Sequence, residues 1–344
     1  MVQLRKVHGS ENHFFLLDQT TLDQPLNDGE LAALAQQVTN PQTGILDGAD
    51  GLLVVNSSAH ANVLGQMRVI NADGSEASMC GNGLRTVSRY LAEKNHTNQF
   101  KVETLTADLQ VSRQNDLAPD VPAFSVEISP VRFKPADFPF TNLGDGALID
   151  QPVPAFAAGL NFTAIAVPNP HLISFVDEDT MNSDILGKLG AHLNGHNDYF
   201  PDGVNVSFAQ ILGKNQLFVR TYERGVGFTN ACGTGMSATS LAFAMTHPHL
   251  GQFDHTITVY NPGGMVKTKV HQAADRYWID LIGNATQTHL IEVDEAQLHG
   301  ANVTTETATI EPTTEETAYL KFVDQLPKVS AIAVKKINCI CIQK

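Results

Sequence analysis

The sequence predicts an α/β (α+β) protein built as two similar halves, each with several strands around one helix. Three observations support this prediction. The chain has 344 residues, which is more than one average domain. A Cys-Gly-x-Gly frame occurs at Cys80 and again at Cys232, 232 − 80 = 152 residues later. The two clearest helical patterns each begin at one of these frames, and strand-like segments surround both.

Several segments alternate between two faces, as half-buried strands do. In one of them Phe162, Ala164 and Ala166 fall on one face, and the residues between them fall on the other. Each segment stops near Gly or Pro, which limits a strand. The segments are NFTAIAVPNPH, QLFVRTYERG, HTITVYNPGG and DRYWIDLIG.

The predicted helices follow the paired frames. After Gly83, the sequence LRTVSRYLAEKN places Leu84, Val87 and Leu91 on one stripe, which predicts a single buried face. After Gly235, the sequence MSATSLAFAMTHP is small and apolar almost all round, which predicts a fully buried helix. We therefore expect each frame to lie at the entrance of its helix.

The boundary between the halves is expected near SPVRFKPADFPF, where the strand pattern is interrupted by Pro130, Pro135 and Pro139. After about residue 293 the composition changes. The stretch NVTTETATIEPTTEETAYL is rich in Thr and Glu without a clear period, which predicts a mobile linker. The closing VSAIAVKKINCICIQK is strand-like and carries Cys339 and Cys341. We assign this extension, residues 301–344, no role.

Charge and composition exclude several classes of protein. The formal net charge of −14 argues against nucleic-acid binding, which needs clustered Lys and Arg to displace counterions from phosphates. No apolar run reaches the roughly 18–20 residues of a membrane span, and the first residues lack an apolar export segment. Four cysteines in a chain of this size do not indicate a disulfide framework. We therefore expect a cytoplasmic protein with reduced thiols.

The paired frames suggest acid–base chemistry. A single Cys beside Gly is usually a small core residue at a tight turn. Two Cys-Gly-x-Gly frames in matching contexts make this purely structural interpretation less convincing. Glycines such as Gly81 and Gly233 let the backbone expose its N–H groups at a helix start, which favours bound anions. The same field favours thiolate over thiol, so we expect both thiols to have a pKa below the usual value of about 8.5. Two such thiols aimed at one carbon would invert a stereocentre.

Other uses of the cysteines fit less well. A zinc site would need a second Cys close to Cys80 or Cys232, and neither has one. The Cys-x-x-Cys pattern of redox proteins is absent around them, as are the Walker and Gly-x-Gly-x-x-Gly patterns of nucleotide sites. We therefore expect no metal, and nothing in the sequence indicates pyridoxal phosphate. A non-catalytic anion-binding protein remains an alternative.

Polar residues elsewhere could complete such a site. Asn169 and His171 follow a strand, where the imidazole could tune a nearby thiol. Asn205 lies within an apolar strand, where a buried amide needs a partner. The adjacent pair Glu223 and Arg224 could receive an ammonium and a carboxylate.

Two segments closely resemble the signature segments of the diaminopimelate epimerases: NADGSEASMCGNGLRTVSRYL and ERGVGFTNACGTGMSA. Further segments follow in that family's order, namely HGSENHFFLLD, GADGLLVV, PNPHLISFV, FPDGVNVSFAQ and YNPGGMVKTKV. The resemblance spans residues 1–290. It implies an isomerase that interconverts LL- and meso-2,6-diaminopimelate without cofactor, in lysine and peptidoglycan precursor biosynthesis.

The resemblance also implies an architecture. It predicts two pseudo-symmetric domains, each a strand barrel around a central helix, with the active site in the cleft between them. The first domain would comprise residues 1–130 plus about 275–300, and the second residues 131–274. The partner would be the small-molecule substrate, and a homodimer is left open.

Individual roles follow from the same resemblance. The acid/base thiols would be Cys80 and Cys232, adjusted by His171 and Glu223. The turns that hold the reacting α-carboxylate would be Gly81, Asn82, Gly233 and Thr234. The substrate shell would comprise Asn12, Asn71, Asn169, Asn205, Glu223 and Arg224, with Arg224 suited to the distal carboxylate.

The chain departs from the family at a few positions. Around Asn12 it has Gly-Ser-Glu-Asn-His, ending at His13, where the family usually has Gly-Leu-Gly-Asn-Asp. Phe228 stands where the family usually has Glu. An alternative function is a related cofactor-independent amino acid racemase or isomerase of the same fold, acting on proline-like or other substrates.

Overall fold

The computed structural model describes residues 1–327, and within them the chain forms nineteen strands and seven α-helices. Cys339 and Cys341, with the strand predicted around them, lie outside the described residues. Among the helices of residues 1–327, none combines the length and the apolar character needed to cross a membrane.

The strands are β1 (Val2–Gly9), β2 (Asn12–Asp18), β3 (Gly51–Asn56), β4 (Val63–Asn71), β5 (Glu76–Ala77), β6 (Gln99–Glu103), β7 (Asp108–Ala118), β8 (Val121–Ile128), β9 (Gln151–Pro152), β10 (Asn161–Ala166), β11 (Pro170–Phe175), β12 (Asn205–Gly213), β13 (Gln216–Glu223), β14 (Gly227–Phe228), β15 (Thr256–Asn261), β16 (Gly264–Ala273), β17 (Arg276–Asn284), β18 (Thr286–Val293) and β19 (Thr309–Pro312). The helices are α1 (Asp28–Val38), α2 (Gly81–Asn95), α3 (Glu178–Asn182), α4 (Ile185–Leu193), α5 (Gly233–Thr246), α6 (Glu295–His299) and α7 (Glu315–Asp324). The four segments that alternate in the sequence form β10, β13, β15 and β17, as predicted.

The two halves repeat one order of strand pairing. In the first half β1–β2, β3–β4, β6–β7 and β7–β8 are antiparallel, and β2–β3 and β4–β6 are parallel. In the second half β10–β11, β12–β13, β15–β16 and β16–β17 are antiparallel, and β11–β12 and β13–β15 are parallel. Parallel neighbours need a crossover connection, which α2 supplies between β4 and β6 and α5 supplies between β13 and β15. This repetition confirms the predicted pseudo-symmetric α/β architecture.

The end of the second half returns to the first. β17 pairs with β16 on one side and with β8 on the other. β18 then pairs with β1, so the chain that follows the second half closes against the first strand of the protein. These pairings join the halves through one continuous set of strands.

The two crossover helices are buried to different extents. Twelve of the fourteen residues of α5 are buried, which its small apolar composition predicted. In α2 the stripe of Leu84, Val87 and Leu91 is buried, while Glu93 and Lys94 on the other side are exposed. Residues of both helices belong to one apolar core, which also includes Leu281 of β17.

The Thr- and Glu-rich stretch is folded, so the expectation of a mobile linker is wrong. β19 pairs with β18, and α7 packs against the first half. Tyr319 of α7 has no exposed surface, and Glu315 forms an ion pair with Arg89 of α2. Val303 and Tyr319 are fully buried in this segment, and the carboxylates of Glu315 and Glu316 contact Arg89 and His8. These contacts produce no hydrophobic period in the sequence.

Leu281 should carry a large share of the packing between the halves. It is fully buried on β17, between Val126 of β8 and Thr268 of β16. We expect Leu281→Ala to lower the free energy of unfolding by about 2–5 kcal/mol, because it removes buried methyl groups and leaves a cavity. Urea denaturation measures this change. The control is Leu320→Ala on the exposed side of α7, with an expected change within about 0.5 kcal/mol. Equal, small losses for both variants would refute this view of the core.

Candidate active site

Cys80 and Cys232 cap the starts of α2 and α5. Each sulfur accepts a hydrogen bond from the backbone N–H three residues later, Gly83 N to Cys80 Sγ at 3.4 Å and Gly235 N to Cys232 Sγ at 3.4 Å. An acceptor at this position satisfies one of the N–H groups that a helix start leaves unpaired. A short strand folds back just before each cysteine, β5 on β4 and β14 on β13. The two thiols therefore occupy equivalent places in the repeated architecture.

The two helix starts lie against each other at Leu281. A Cβ added to Gly81 or to Gly233 would come within 2.9 Å of Leu281 Cδ2. At Gly233 it would also come within 3.1 Å of Asn82 Oδ1. Asn82 Nδ2 donates to the backbone oxygen of Ala231 at 3.4 Å, which links the start of α2 to the residue before Cys232. A larger residue at either glycine would require Leu281 to move, so the approach is closest with glycine, and both thiols lie next to the contact between the helix starts.

On the first half, Asn12 connects the thiol to the carboxylate of Asp50. Asn12 Oδ1 lies 3.8 Å from Cys80 Sγ and accepts a hydrogen bond from Asn82 Nδ2 at 3.1 Å. Its own Nδ2 donates to Asp50 Oδ2 at 2.7 Å. Burial raises the pKa of Asp50. Asn12 therefore contacts two other predicted residues, Cys80 and Asn82, and it is also hydrogen-bonded to Asp50.

On the second half, a chain of side chains leads from Cys232 to His171. Thr234 Oγ1 lies 3.6 Å from Cys232 Sγ and accepts a hydrogen bond from Asn169 Nδ2 at 3.2 Å. Asn169 Oδ1 lies 3.2 Å from His171 Nε2. Burial and the charge of Arg224 lower the pKa of His171 to about 3, so this imidazole is neutral at physiological pH. His171 therefore reaches the thiol through two intervening residues rather than by direct contact.

The Glu223–Arg224 pair ends β13 beside the same thiol. Glu223 accepts a hydrogen bond from Thr229, and burial raises its pKa. Asn205 Oδ1 accepts from the backbone N–H of Arg224 at 2.8 Å, and Asn205 Nδ2 donates to Pro170 O at 3.1 Å. The buried amide of Asn205 thus has the partners that its position in an apolar strand requires.

The guanidinium of Arg224 is available to a ligand. Its side chain is exposed and donates to the backbone oxygen of Asp202 at 3.0 Å. Within residues 1–327 it forms no ion pair with a carboxylate. An exposed guanidinium without a carboxylate partner can bind a carboxylate in bidentate fashion.

Both thiols have raised pKa values, so the expectation of lowered ones is wrong. Burial raises the pKa of Cys80 to about 11, and it raises the pKa of Cys232 well above its ordinary value. The charge of Glu223 raises both further, while the N–H groups of Gly83 and Gly235 act in the opposite direction. The field of a helix start and one hydrogen bond do not offset the loss of hydration that the buried thiolate would suffer.

Asn71 is the predicted site residue that stands apart. It ends β4 opposite Gly51, and its side chain donates to Ser75 Oγ at 3.0 Å. In the described part of the chain no hydrogen bond joins it to a thiol or to the other predicted residues.

Four residues near the thiols were not predicted: Asp50, Thr229, Leu281 and Arg85. Arg85 is fully buried, donates from Nε to Asn284 O at 3.1 Å, and its charge lowers the pKa of Cys80. Two of them have a weak signal in the sequence: Asp50 directly precedes a buried strand, and Thr229 lies between Gly227 and Cys232. Among residues 1–327, no group of three His, Cys, Asp or Glu side chains is arranged to hold a metal ion.

The departures from the family pattern lie at the edge of this site. The backbone N–H of His13 donates to Asp50 Oδ2 at 2.8 Å, and burial lowers the pKa of the His13 imidazole to about 4. Phe228 is half exposed, and the guanidinium of Arg220 lies 5.1 Å from the centre of its ring.

The chain is similar to known proteins over most of its length. The family model described as diaminopimelate epimerase matches residues 4–127 and 163–287. The chain is 53% identical over 326 residues to the diaminopimelate epimerase of Enterococcus faecalis, covering 94% of this chain and 98% of that protein. It is 52% identical over 331 residues to the diaminopimelate epimerase of Lactiplantibacillus plantarum, covering 95% and 99%.

The fold is also found in more distant proteins. The crystal structure of the Bacillus anthracis phenazine biosynthesis protein of the PhzF family superposes with a TM-score of 0.58 at 16% identity. The superposition covers 83% of this chain and 96% of that one. At this identity the likeness concerns the fold alone. The family model and the bacterial relatives, in contrast, cover most of the sequence, and the chain belongs to the diaminopimelate epimerase family.

Proposed function

We propose that the protein is an isomerase that interconverts LL- and meso-2,6-diaminopimelate through Cys80 and Cys232. The observation that carries this proposal is the contact between two helix starts, each capped by a thiol. Family membership supports the substrate, and with it a place in lysine and peptidoglycan precursor biosynthesis. The reaction would run in the cytoplasm, where thiols stay reduced.

The two thiols would act as opposite partners in one proton transfer. The thiolate of one cysteine removes the α-proton from one face of the substrate carbon. The thiol of the other cysteine then delivers its proton to the opposite face, so the configuration inverts. Cys80 and Cys232 end with exchanged protonation states, and proton exchange with solvent restores the starting state. Proton number is conserved, and no electron leaves the substrate.

The negative charge of the carbanion would spread onto the neighbouring α-carboxylate. The first backbone N–H groups of α2 and α5 have no partners within their helices, and they would hold that carboxylate. The residues that supply them are Gly81, Asn82, Gly233 and Thr234. Two positive helix ends at one point stabilise the additional negative charge of the transition state more than they stabilise the carboxylate of the bound substrate.

The substrate itself would activate the thiol. Glu223 raises the pKa of both thiols through its negative charge. A substrate ammonium bound beside Glu223 would offset that charge and favour the thiolate. Asn12, Asn169 and Asn205 would help orient this reacting end.

The distal end of the substrate would bind Arg224, whose guanidinium has no carboxylate partner within residues 1–327. Diaminopimelate carries an ammonium and a carboxylate at both ends, which suits a site with two sets of charged groups. A single-ended amino acid such as proline would leave Arg224 without a partner. Activity on proline, with none on diaminopimelate, would replace this proposal with the racemase alternative.

Each thiol should be essential for inversion. We expect Cys80→Ala and Cys232→Ala each to lower the rate of LL-to-meso conversion by about 10²- to 10⁴-fold, since each removes one of the two acid/base groups. Chiral chromatography of the diaminopimelate stereoisomers measures the rate, and runs in deuterated water show whether inversion incorporates deuterium at the α-carbon. The control is the double variant Cys339→Ala/Cys341→Ala, which should keep the wild-type rate. Inversion that survives in either of the first two variants would rule out the two-thiol mechanism.

The raised pKa values should appear in thiol alkylation. Thiolate is the species that reacts with iodoacetamide, so the alkylation rate of Cys80 without added substrate should keep rising with pH up to about 10. Glu223→Gln should accelerate the reaction at pH 9, because removing the negative charge lowers the pKa of the Cys80 thiol. The matched control is Glu93→Gln on the exposed side of α2. A rate that is already constant near pH 8 would contradict the raised pKa.

A further inference from the structure

Helix α7 is anchored on the first half of the protein. The carboxylate of Glu315 accepts a hydrogen bond from Arg89 Nη2 of α2 at 2.7 Å and another from the backbone N–H of Gln287 at 2.8 Å. Both side chains of the ion pair are more than four-fifths buried. A bidentate pair of this kind fixes the orientation of a helix as well as its position.

The same helix reaches the second half through Tyr319. Its side chain is fully buried, and its hydroxyl donates to the backbone oxygen of Gly263 at 2.6 Å. Gly263 lies in the turn between β15 and β16. A Cβ added to the next residue, Gly264, would come within 2.6 Å of Tyr319 Oη, so this turn packs directly on the phenol.

The turn that Tyr319 holds is bonded to the chain just before the second thiol. Gly263 N donates to the backbone oxygen of Asn230 at 2.9 Å. Asn230 precedes Cys232 by two residues. The position of Gly263 therefore bears on where the start of α5 lies.

The same turn also packs on the first half. A Cβ added to Gly263 would come within 2.5 Å of the backbone oxygen of Ser10, in the turn between β1 and β2. Asn230 Nδ2 donates to Glu11 Oε2 in that turn at 3.3 Å. Asn12 follows directly and contacts Cys80 Sγ. The β1–β2 turn and the β15–β16 turn thus meet where Tyr319 holds them, and each leads to one thiol.

We propose that α7 is a strap across the two halves and that Tyr319 is a positioning residue for the reaction. The strap holds the β15–β16 turn against the β1–β2 turn and so fixes the two thiols relative to each other. Tyr319 touches neither thiol and acts through Gly263. This inference rests on the proposed function, because what the strap positions is the pair of acid/base groups.

The test uses Tyr319→Phe, which removes the hydroxyl and keeps the ring. With the halves less well aligned, a carbanion formed by one thiolate should be reprotonated more often by the same thiol. In deuterated water this return gives α-deuterated substrate of unchanged configuration once the thiol has exchanged the abstracted proton for a solvent deuteron. We expect inversion to slow by up to about 10²-fold, and the ratio of exchange with retention to inversion to rise several-fold. Chiral chromatography with mass detection measures both products.

Two further variants serve as a second test of the strap and as a control. Glu315→Gln weakens the anchor on Arg89 and should raise the ratio in the same direction, so it replaces Tyr319→Phe if that variant fails to fold. Tyr277→Phe removes a hydroxyl from the exposed rim of β17, where it accepts from Gln272, and should leave the ratio unchanged. Simple loss of folded protein lowers both rates equally. An unchanged ratio in both Tyr319→Phe and Glu315→Gln would overturn the strap.

Amide hydrogen exchange separates this inference from the proposed function. Without the Tyr319 hydroxyl, peptides that cover the β1–β2 turn and the β15–β16 turn should exchange faster than in the wild type, whether or not diaminopimelate is turned over. Unchanged exchange in both turns would overturn the strap even in an active enzyme. A wild-type protein that fails to invert diaminopimelate, but loses protection in both turns on Tyr319→Phe, would overturn the function and retain the strap.

Discussion

The close approach of two helix starts determines where the two thiols of this protein lie. A helix start carries unpaired N–H groups and a partial positive charge, so two helix starts repel each other unless something compensates. Here the approach is possible because Gly81 and Gly233 present no side chain to Leu281. The repeated strand order brings the two crossover helices to equivalent positions, and the β8–β17 pairing brings the two copies side by side. Acid–base chemistry at one carbon would follow from that arrangement.

The electrostatics of the site favour the protonated thiols. Burial raises the pKa values of Cys80 and Cys232, and Glu223 raises them further. The neutral imidazole of His171 adds no positive charge to offset this. In the proposed mechanism the missing charge comes from the substrate, whose ammonium binds where Glu223 lies. The thiols would then be reactive only when the correct ligand is bound. This dependence would protect them from other reactions.

Local patterns predicted a large part of this structure. The alternation of Phe162, Ala164 and Ala166 gave a strand, the composition after Gly235 gave a buried helix, and both Cys-Gly-x-Gly frames were placed at helix entrances. What failed depends on distant parts of the chain. The direction of the thiol pKa shifts is set by burial, which the helix pattern does not report. Asp50 and Tyr319 reach the site through hydrogen bonds to Asn12 and Gly263, and these residues lie far from the cysteines in sequence. The fold of α7 rests on the buried ring of Tyr319 and on the contacts of Glu315 with Arg89 and of Glu316 with His8, and the composition of the stretch indicates none of these.

A crystal structure with a diaminopimelate analogue bound would show whether the two helix starts form one site. If the two helix starts form one site, the sulfurs of Cys80 and Cys232 will lie on opposite faces of the same α-carbon, each at about 3–3.5 Å, the separation of reacting atoms in a near-attack arrangement. The α-carboxylate will lie against the first N–H groups of α2 and α5. An α-carbon in contact with only one sulfur, or a ligand bound away from both helix starts, would show that the two thiols do not share a site.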